Sequence, residues 1–372
     1  MTAPLILVSG ASGGVGQPLV AELLARGQRV RAMVRRIDAR AAQLAALGAE
    51  VVTADLYDPD QLEAAMQGVS RAFYLPPMRP NMSQSAVAFA LAAKAARVEH
   101  IVSMSQWTSH RAHPANMTRQ TWLNDALFDL VPGAAHTVFN PGMFAHNFLR
   151  TIDYAALLGI YPVTSGDGRA APISNEDLAR TAAVILAEGP ALHAGKRYRP
   201  TGPKLLDARE MAGIIALAVG HRVLPVDMPF WLFSRAGRQQ GADAFEIASL
   251  KHYMDDMRAG TFAFEGGVTD VVERLTGTPA ESFEATARRY AALPFARQTL
   301  GNRLKAFLNF NLVPFLPGVN VRRLERTLAL PAAPAPSLAI ADAEWRRTHA
   351  AQMAAPALPP LRLATPTLSS AA

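Results

Sequence analysis

Residues 5–36 read LILVSGASGGVGQPLVAELLARGQRVRAMVRR, and the order of features within this stretch decides the fold. An apolar run typical of a buried parallel strand leads directly into three glycines, Gly10, Gly13 and Gly16. Apolar residues then recur at helical spacing until Gly27 ends the helix, and a second apolar strand follows. A glycine turn between a strand and a helix is the setting of a dinucleotide-binding fingerprint.

The three glycines predict a cradle for a diphosphate. Gly10 permits a tight turn, Gly13 lets the backbone approach a pyrophosphate, and Gly16 lets the helix pack closely on the strand. Amides at the start of the helix then face the phosphates, and the Ser12 hydroxyl adds a donor. The alternative is a glycine-rich turn that binds no ligand. The predicted cofactor contacts in this turn are Gly10, Ser12, Gly13, Gly14, Val15 and Gly16.

Two arginines, Arg35 and Arg36, follow the second strand about 20 residues after the glycines. Enzymes that use NAD(H) normally place an acidic residue here, on the ribose 2′-hydroxyl. A guanidinium is always charged and donates in a fork that suits a phosphate. The pair therefore predicts NADP(H) as the cofactor, with the arginines on its 2′-phosphate. Two solvated arginines are the alternative.

Strand and helix patterns alternate six times in about 140 residues, which predicts a Rossmann-like, doubly wound parallel sheet in an α/β fold. Ligands on such sheets bind at the carboxyl ends of the strands, where the strand order reverses. We predict an NAD(P)-binding domain over 1–155, with 172–203 returning to the sheet. A smaller, mostly helical lobe follows over 204–293. An additional C-terminal arm covers 294–372, and its end from Ala354 is expected to be mobile.

Composition excludes several classes of protein. The absence of cysteine excludes disulfides, a thiol nucleophile and thiolate metal sites, and the nine histidines lack ligand spacing, so no metal site is predicted. Of the net charge of +7, the stretch 294–372 holds nine basic and three acidic residues, so the body is nearly neutral and nucleic-acid binding is not expected. No signal peptide and no membrane-spanning stretch is recognisable, and we expect a cytoplasmic monomer or homodimer.

An ordered series of motifs resembles the NmrA-like branch of the atypical short-chain dehydrogenases. The spacing GxxGxxG is followed by VRR, ADLYDP, YLPP, NPGMFAHNF, GDGRAAPISNEDLARTAAVIL, GKRYRPTGP and LDAREMAGIIALAVGHRV, and the likeness covers residues 4 to about 290. It implies that Asp55 and Leu56 lie near the adenine, and that Leu75, Pro76 and Pro77 line the ribose and nicotinamide side. An acidic turn residue at a helix entry is the alternative for Asp55. The family includes quinone, azo and imine or alkene reductases, and also regulators that bind the dinucleotide without turnover.

The residues that normally transfer the proton in short-chain dehydrogenases are missing. Those enzymes use a tyrosine, a lysine four residues later and a serine on the preceding strand, and none of the seven tyrosines here has that lysine. The region offers Ser103, which we assign to the cofactor, together with His110 or His113 as an acid and Arg119 to steady the ribose. We select His113 and Arg119 as catalytic candidates. Two surface histidines and an arginine that opens a helix are the alternative.

The predicted substrate pocket lies after the fifth and sixth strands. Asn140 stands where the family commonly has an arginine before proline, which weakens that supporting role, and Asn147 matches a family asparagine that faces the pocket or caps the next helix. The pocket residues we predict are Trp107, Asn140, Phe144 and Asn147.

These features favour an NADPH-dependent reductase of a small, flat, electron-poor substrate such as a quinone. Reduction of a quinone or azo group can take its proton from water or a weak donor, so loss of the Tyr–Lys pair does not abolish hydride transfer. The substrate would enter between the sheet edge and the lobe over 205–292. The alternative is a non-catalytic sensor that binds NADP(H) and acts through a protein partner.

The apolar part of the arm, FLNFNLVPFLPGVNV, lies between basic residues at 303–305 and 322–326. We expect an arm that wraps the body or a second subunit and buries its aromatic side chains, with Pro314 and Pro317 preventing a long helix. Peripheral membrane contact through 303–326 is the alternative. Trp345, with Arg346 and Arg347, is expected to dock the arm.

Overall fold

A parallel sheet of seven strands forms the centre of the computed structural model, which describes residues 3–353. The strands of the structure, two of which lie outside this sheet, are β1 (Leu5–Val8), β2 (Arg29–Val34), β3 (Glu50–Thr53), β4 (Arg71–Tyr74), β5 (His100–Met104), β6 (Ala135–Phe139), β7 (Ile160–Val163), β8 (Arg197–Tyr198) and β9 (Leu224–Asp227). The sheet order is β3-β2-β1-β4-β5-β6-β8, and every neighbouring pair is parallel. The order therefore reverses between β1 and β4, which is where ligands bind in such sheets.

Helices connect and cover these strands. They are α1 (Gly16–Ala25), α2 (Ala39–Ala46), α3 (Pro59–Met66), α4 (Met82–Ala95), α5 (Asn116–Phe128), α6 (Ala145–Leu149), α7 (Ile152–Leu158), α8 (Asn175–Glu188), α9 (Pro190–His193), α10 (Ala208–Val219), α11 (Phe230–Gln239), α12 (Ala244–Arg258), α13 (Val271–Thr276), α14 (Phe283–Ala291), α15 (Leu300–Leu312), α16 (Val321–Thr327) and α17 (Ala343–Met353). The predicted six-fold alternation and the doubly wound fold are confirmed.

Both faces of the sheet are buried, as the nearly continuous apolar strands require. One face packs against α1 and α8, through residues such as Leu23 and Ile185. The other packs against α3, α4 and α5, where Phe89 and Phe128 meet the ring of Tyr74. Sequence signals set the local boundaries: the Asp58 carboxylate accepts a hydrogen bond from the Gln61 amide at 3.1 Å and caps α3, with proline in its first turn.

The smaller lobe contains one feature that the sequence analysis missed. β7 and β9 form a separate two-stranded parallel ribbon, in which Tyr161 and Val163 of β7 are buried with α7 and α10 while β9 is mostly exposed. Both strands have four residues and contain a proline, at Pro162 and Pro225. Proline removes a ladder donor, so neither stretch has the pattern of a strand. The division of the chain at 155, 204 and 294 stays a prediction.

The arm folds onto the body through its last described helix, as expected for Trp345. This side chain is 2% exposed, and its indole N–H donates to the Trp107 carbonyl oxygen at 2.9 Å. The prolines also act as predicted, because α15 ends two residues before Pro314. The expected burial of the arm's aromatic side chains against the body is wrong for Phe307 and Phe315, which are 55% and 84% exposed, and their burial against a second subunit stays a prediction.

The stretch from Ala354, expected to be mobile, lies outside the described residues. Over residues 3–353, every helix is too short or too polar to cross a bilayer.

Candidate functional site

The glycine turn between β1 and α1 is packed most tightly at Gly16, where a side chain could not be added without moving the backbone. A Cβ on Gly16 would lie 2.2 Å from the Gly10 carbonyl oxygen and 2.8 Å from the Ala11 Cα, and one on Gly13 would lie 3.2 Å from that same oxygen. Gly10 has a φ of +62°, which L side chains rarely adopt. The turn therefore presents bare backbone at the carboxyl edge of the sheet.

The start of α1 offers the donors that a diphosphate needs. Among the described residues no side chain caps α1, whose N-cap residue is Val15. The amides of Gly14, Val15 and Gly16 make no backbone hydrogen bond within residues 3–353 and remain available, whereas the Gln17 amide donates to the Gly13 carbonyl oxygen at 3.0 Å. Ser9, a residue that the sequence analysis did not select, holds the turn in place. Its buried hydroxyl accepts a hydrogen bond from the Leu75 amide at 2.8 Å and joins the ends of β1 and β4. These residues fit the phosphates of a dinucleotide, with Ser12 and Gly14 at the open side.

A cluster of cations follows β2. Arg35 and Arg36 are both exposed, and Arg36 lies 3.8 Å from the Asp38 carboxylate. Asp38 accepts hydrogen bonds from the amides of Arg40 and Ala41 as the cap of α2, and it pairs with the Arg40 guanidinium at 2.7 Å. The hydrogen bond from Arg40 holds the pKa of Asp38 below its usual value. The Asp38 carboxylate is therefore already paired, and Arg40 is a third arginine beside the predicted pair of Arg35 and Arg36.

The residues assigned to the adenine and ribose lie at successive strand ends. Asp55 follows β3, where its carboxylate accepts the Tyr57 amide at 3.0 Å, and Leu56 packs at the edge of the core beneath it. Leu75 follows β4, and its side chain lies 2.9 Å from the position that a Cβ on Gly10 would occupy. Pro76 and Pro77 continue from it, half-buried. This arrangement brings the segments that follow β1, β2, β3 and β4 to one edge of the sheet.

A short path joins the glycine turn to the segment after β6. The Asn175 amide nitrogen lies 3.0 Å from where a Gly14 Cβ would stand, and the Asn175 amide oxygen lies 3.3 Å from Nδ1 of His146. Burial lowers the pKa of His146 to about 4, so this imidazole is neutral at pH 7. Phe144 forms a bridge with Ile173, which fixes this segment beside the first turn of α8.

A cavity of about 80 Å³ opens one residue further on, between this segment and the lobe. The polar residues of its wall are Asn147, Arg150, Thr164, Ser165 and Tyr253, and burial raises the pKa of Tyr253. The role of Asn147 in binding substrate stays a prediction. The rest of the wall is mostly aromatic rings and thioethers. The lining residues are Met143, Asn147, Phe148, Arg150, Thr164, Ser165, Phe233, Leu250, Tyr253, Met254 and Met257.

The prediction that His113 donates a proton to substrate is not supported. His113 and Asp256 are both 0% exposed, and His113 Nε2 lies 2.6 Å from the Asp256 carboxylate. The other ring nitrogen accepts the Ala115 amide at 3.0 Å. Asp256 also accepts from the Thr261 hydroxyl at 2.8 Å and from the Ala339 amide at 3.0 Å. This carboxylate therefore ties the loop after β5 to the lobe and to the arm, and both nitrogens of His113 are used for structure.

Arg119 is likewise engaged with the backbone, which corrects its assignment to the cofactor ribose. Its guanidinium donates to the carbonyl oxygens of His113 at 2.5 Å and Pro114 at 2.9 Å, and also to that of Pro331 in the arm. It lines a cavity of about 560 Å³ between α5 and α16, together with Arg322 and Glu325. His110, the other histidine considered, is 4% exposed rather than on the surface.

Three further predicted residues are buried away from the cavity. Ser103 points into the layer beneath the sheet, where its hydroxyl lies 2.8 Å from His136 Nε2, so it does not face the cofactor edge. The Trp107 indole is 1% exposed and donates to the Thr261 carbonyl oxygen at 3.1 Å. Asn140 is 1% exposed, and its amide group bonds to Tyr198 and Arg199. Packing by the lobe and the arm buries Trp107, whereas partners on or next to neighbouring strands hold Ser103 and Asn140.

Sequence reasoning missed four residues that the structure brings to the site. Asn175 lay within a motif already quoted, and Arg40 follows four residues after the quoted VRR, so their neighbours provided a signal. Ser9 directly precedes the first glycine, but a serine at a strand end has no distinctive spacing. Tyr253 lies 146 residues after Trp107, in a helix whose pattern indicates only packing. Tyr253 reaches the cavity only because the lobe packs on the sheet, which no local pattern indicates.

Comparison with known proteins identifies relatives of this chain. Residues 10–188 match the sequence profile of a family described as NAD(P)H-binding. An NAD(P)H azoreductase from Xenophilus azovorans is 30% identical over 290 residues, covering 77% of this chain and 98% of that protein. The solved NADPH-dependent quinone oxidoreductase from Escherichia coli, complexed with NADPH, has a TM-score of 0.65 and 23% identity, covering 77% of this chain and 99% of that one. NmrA, a negative transcriptional regulator, has a TM-score of 0.60 and 18% identity, covering 77% and 95%.

Proposed function

Because the chain belongs to the NmrA-like NAD(P)H-binding family, which includes NAD(P)H-dependent reductases, we propose that it reduces a small, flat, electron-poor substrate, such as a quinone, with NADPH. The observation that carries this proposal is the short path from the glycine turn through Asn175 and His146 to an apolar, aromatic cavity. A substrate in that cavity would lie within reach of a dinucleotide that extends along the strand ends.

The cations after β2 support a preference for NADPH over NADH. Arg35 forms no ion pair within residues 3–353, and Arg36, which lies 3.8 Å from the Asp38 carboxylate, is 73% exposed at the side chain, so both guanidinium groups are accessible to a 2′-phosphate. The fork of an arginine binds a phosphate more strongly than it binds a neutral hydroxyl. Asp38 is held by the start of α2 and by Arg40, so it does not replace the missing ribose carboxylate.

The wall of the cavity suits a flat, conjugated substrate. Phe148, Phe233 and Tyr253 supply ring faces, and thioethers such as that of Met257 adapt to an irregular aromatic outline. Asn147 adds an amide donor for a carbonyl oxygen, so the wall orients the substrate while its apolar surface excludes water.

The chemistry divides between cofactor and protein. When bound, NADPH supplies a hydride. The residues of this chain hold and orient the reactants, and no strong acid is required, because a reduced quinone leaves a stabilised phenolate that water can protonate. Burial raises the pKa of Tyr253, which keeps its phenol protonated at neutral pH. A simple ketone would leave a strongly basic alkoxide and is a poorer substrate.

Calorimetric titration tests the cofactor half of the proposal. We expect wild type to bind NADPH more tightly than NADH, and Arg35→Ala to lose about tenfold or more of NADPH affinity with NADH affinity unchanged. Arg29→Ala is the matched control, because Arg29 is exposed at the opposite end of the same strand. Equal affinity of wild type for both cofactors would exclude the arginine assignment.

Turnover tests the catalytic half. NADPH oxidation is followed by absorbance with a panel of quinones, and we expect rates well above those without protein. Leu250→Trp fills the cavity and should lower kcat/KM, whereas Leu217→Trp, on the 74%-exposed surface of the same lobe, should not. Absence of oxidation above the protein-free rate across the panel would argue against a reductase of this class.

A sensor is the second candidate, and one observation favours it. The arm packs Trp345 and His349 against Trp107, beside the carboxyl end of β5. A change in the site on cofactor binding would therefore alter the arm, and a partner bound to the arm would respond to it. A sensor would bind NADP⁺ and NADPH without turnover and would capture a protein partner only in the presence of cofactor. Steady turnover with any quinone would argue against a purely sensing role.

A further inference from the structure

The first helix of the arm turns an apolar face to solvent. Five of its side chains and one just beyond it form this surface, which we name the arm face: Leu300 (86% exposed), Leu304 (60%), Phe307 (55%), Leu308 (49%), Leu312 (52%) and Phe315 (84%). At about 100° per residue, the five α15 positions fall within an arc of about 140°. The opposite side of the helix packs on the body through Ala306 and through Phe310, whose ring lies 5.6 Å from that of Tyr154. An ordinary surface helix would present polar residues where these apolar ones lie.

Basic residues flank this surface on both sides. Helical geometry places Arg303 at one edge of the apolar arc and Lys305 at the other, and both are exposed. Over residues 294–324 the sequence has five basic residues and no acidic ones. Beside the arm face lies Trp231, which is 52% exposed; Arg235 stacks on its ring at 5.0 Å and donates to the Pro314 carbonyl oxygen. Leucine, phenylalanine and tryptophan bordered by cations are the composition of interfacial helices.

We propose that the arm face docks on the surface of a bilayer that contains anionic lipid. Charge complementarity selects this occupant, because lipid headgroups would neutralise the cations while the apolar side chains enter the acyl boundary. A second copy of this chain joined through the same face would bring like charges together. The helix has 13 residues, so it lies along the surface rather than crossing it. The proposal does not depend on the proposed catalytic function.

Co-sedimentation of the full chain with vesicles tests this proposal. The probes are vesicles of phosphatidylcholine alone and of phosphatidylcholine with about 30% phosphatidylglycerol. We expect binding to the anionic vesicles, weak binding to the neutral ones, and loss of binding as salt rises. The triple variant L304Q/F307Q/L308Q should lower the partition coefficient by about tenfold or more, since it removes only exposed apolar groups. R303Q/K305Q should lower it by about fivefold per cation.

Matched controls separate this effect from general surface changes. L91Q/L123Q/L130Q removes three exposed leucines from α4 and from in and just after α5, and K94Q/R97Q removes two exposed cations at the end of α4. Both should bind anionic vesicles as wild type does, and thermal melting should show that every variant is folded.

Three results would overturn the proposal. The first is absence of binding to anionic vesicles by the full chain. The second is a stable dimer in sedimentation velocity that L304Q/F307Q/L308Q makes monomeric, which would identify a second copy as the occupant. The third is binding of L304Q/F307Q/L308Q to anionic vesicles as tight as that of wild type, which would exclude the arm face from the contact.

Discussion

Replacing Gly16 with alanine is the sharpest test of the cofactor cradle. The added Cβ would lie 2.2 Å from the Gly10 carbonyl oxygen and 2.8 Å from the Ala11 Cα. Both are backbone atoms, so no flexible side chain can move aside. To reach ordinary contact, the turn must open by about 1 Å at the point where it would hold the diphosphate.

The size of the effect follows from what the opened turn loses. Two charge-assisted hydrogen bonds from backbone amides to phosphate are worth about 3 to 6 kcal/mol together, so NADPH affinity should fall by about a hundredfold or more. Crowding in the turn should also lower the free energy of unfolding by about 1 to 3 kcal/mol. Gly13→Ala should have a smaller effect, because its Cβ would lie 3.2 Å from one oxygen and could be accommodated by a small shift.

Gly213→Ala is the matched control for this substitution. Gly213 lies exposed within α10, and its added Cβ would meet nothing within 4 Å. It should raise the free energy of unfolding by about 0.5 to 1 kcal/mol and leave NADPH affinity unchanged. Calorimetric titration gives the affinities and urea unfolding gives the stabilities. Wild-type affinity in folded Gly16→Ala would refute the cradle.

Three further predictions concern the packing around the site. His113→Ala leaves Asp256 buried without this partner and should cost about 3 to 5 kcal/mol in urea unfolding, with NADPH oxidation per folded molecule unchanged; a selective loss of kcat would restore a catalytic role for His113. Trp345→Ala should cost about 3 to 5 kcal/mol and speed limited proteolysis of the arm, whereas wild-type resistance would contradict the docking described above. Burial lowers the pKa values of His146 and His252 to about 4 from 6.5, so the unfolded chain takes up protons first as the pH falls. Stability should therefore decline between about pH 6.5 and pH 4, and His252→Gln should flatten the melting temperature in this range.

The glycine turn and the cations that we propose for the cofactor could be found in the sequence because they are local features. Gly10, Gly13 and Gly16 are needed within a single turn, and Arg35 follows the next strand in the sequence, so a short stretch contains the whole pattern. The substrate half depends on side chains far apart in the chain. Asn147 was found through its motif, but Tyr253 comes from a helix that reaches the cavity only when the lobe packs on the sheet.

Burial explains why the catalytic candidates failed. In the sequence, a loop with two histidines and an arginine is indistinguishable from an active-site loop, since both are polar and follow a strand. The structure covers this loop with the lobe and the arm, so Asp256 engages His113 and the Pro331 carbonyl oxygen engages Arg119. Those partners lie about 140 to 210 residues away in the chain, beyond the range of any local pattern.

The sequence by itself determined the doubly wound sheet, the glycine turn and the cations that follow β2, because strand–helix periodicity and close backbone packing are encoded by neighbouring residues. Only the tertiary structure decided which polar side chains reach the cavity and which face of α15 stays exposed. Those outcomes depend on the docking of the lobe and the arm, where burial selects partners from distant segments. The same docking buried His113 and left Phe307 in solvent.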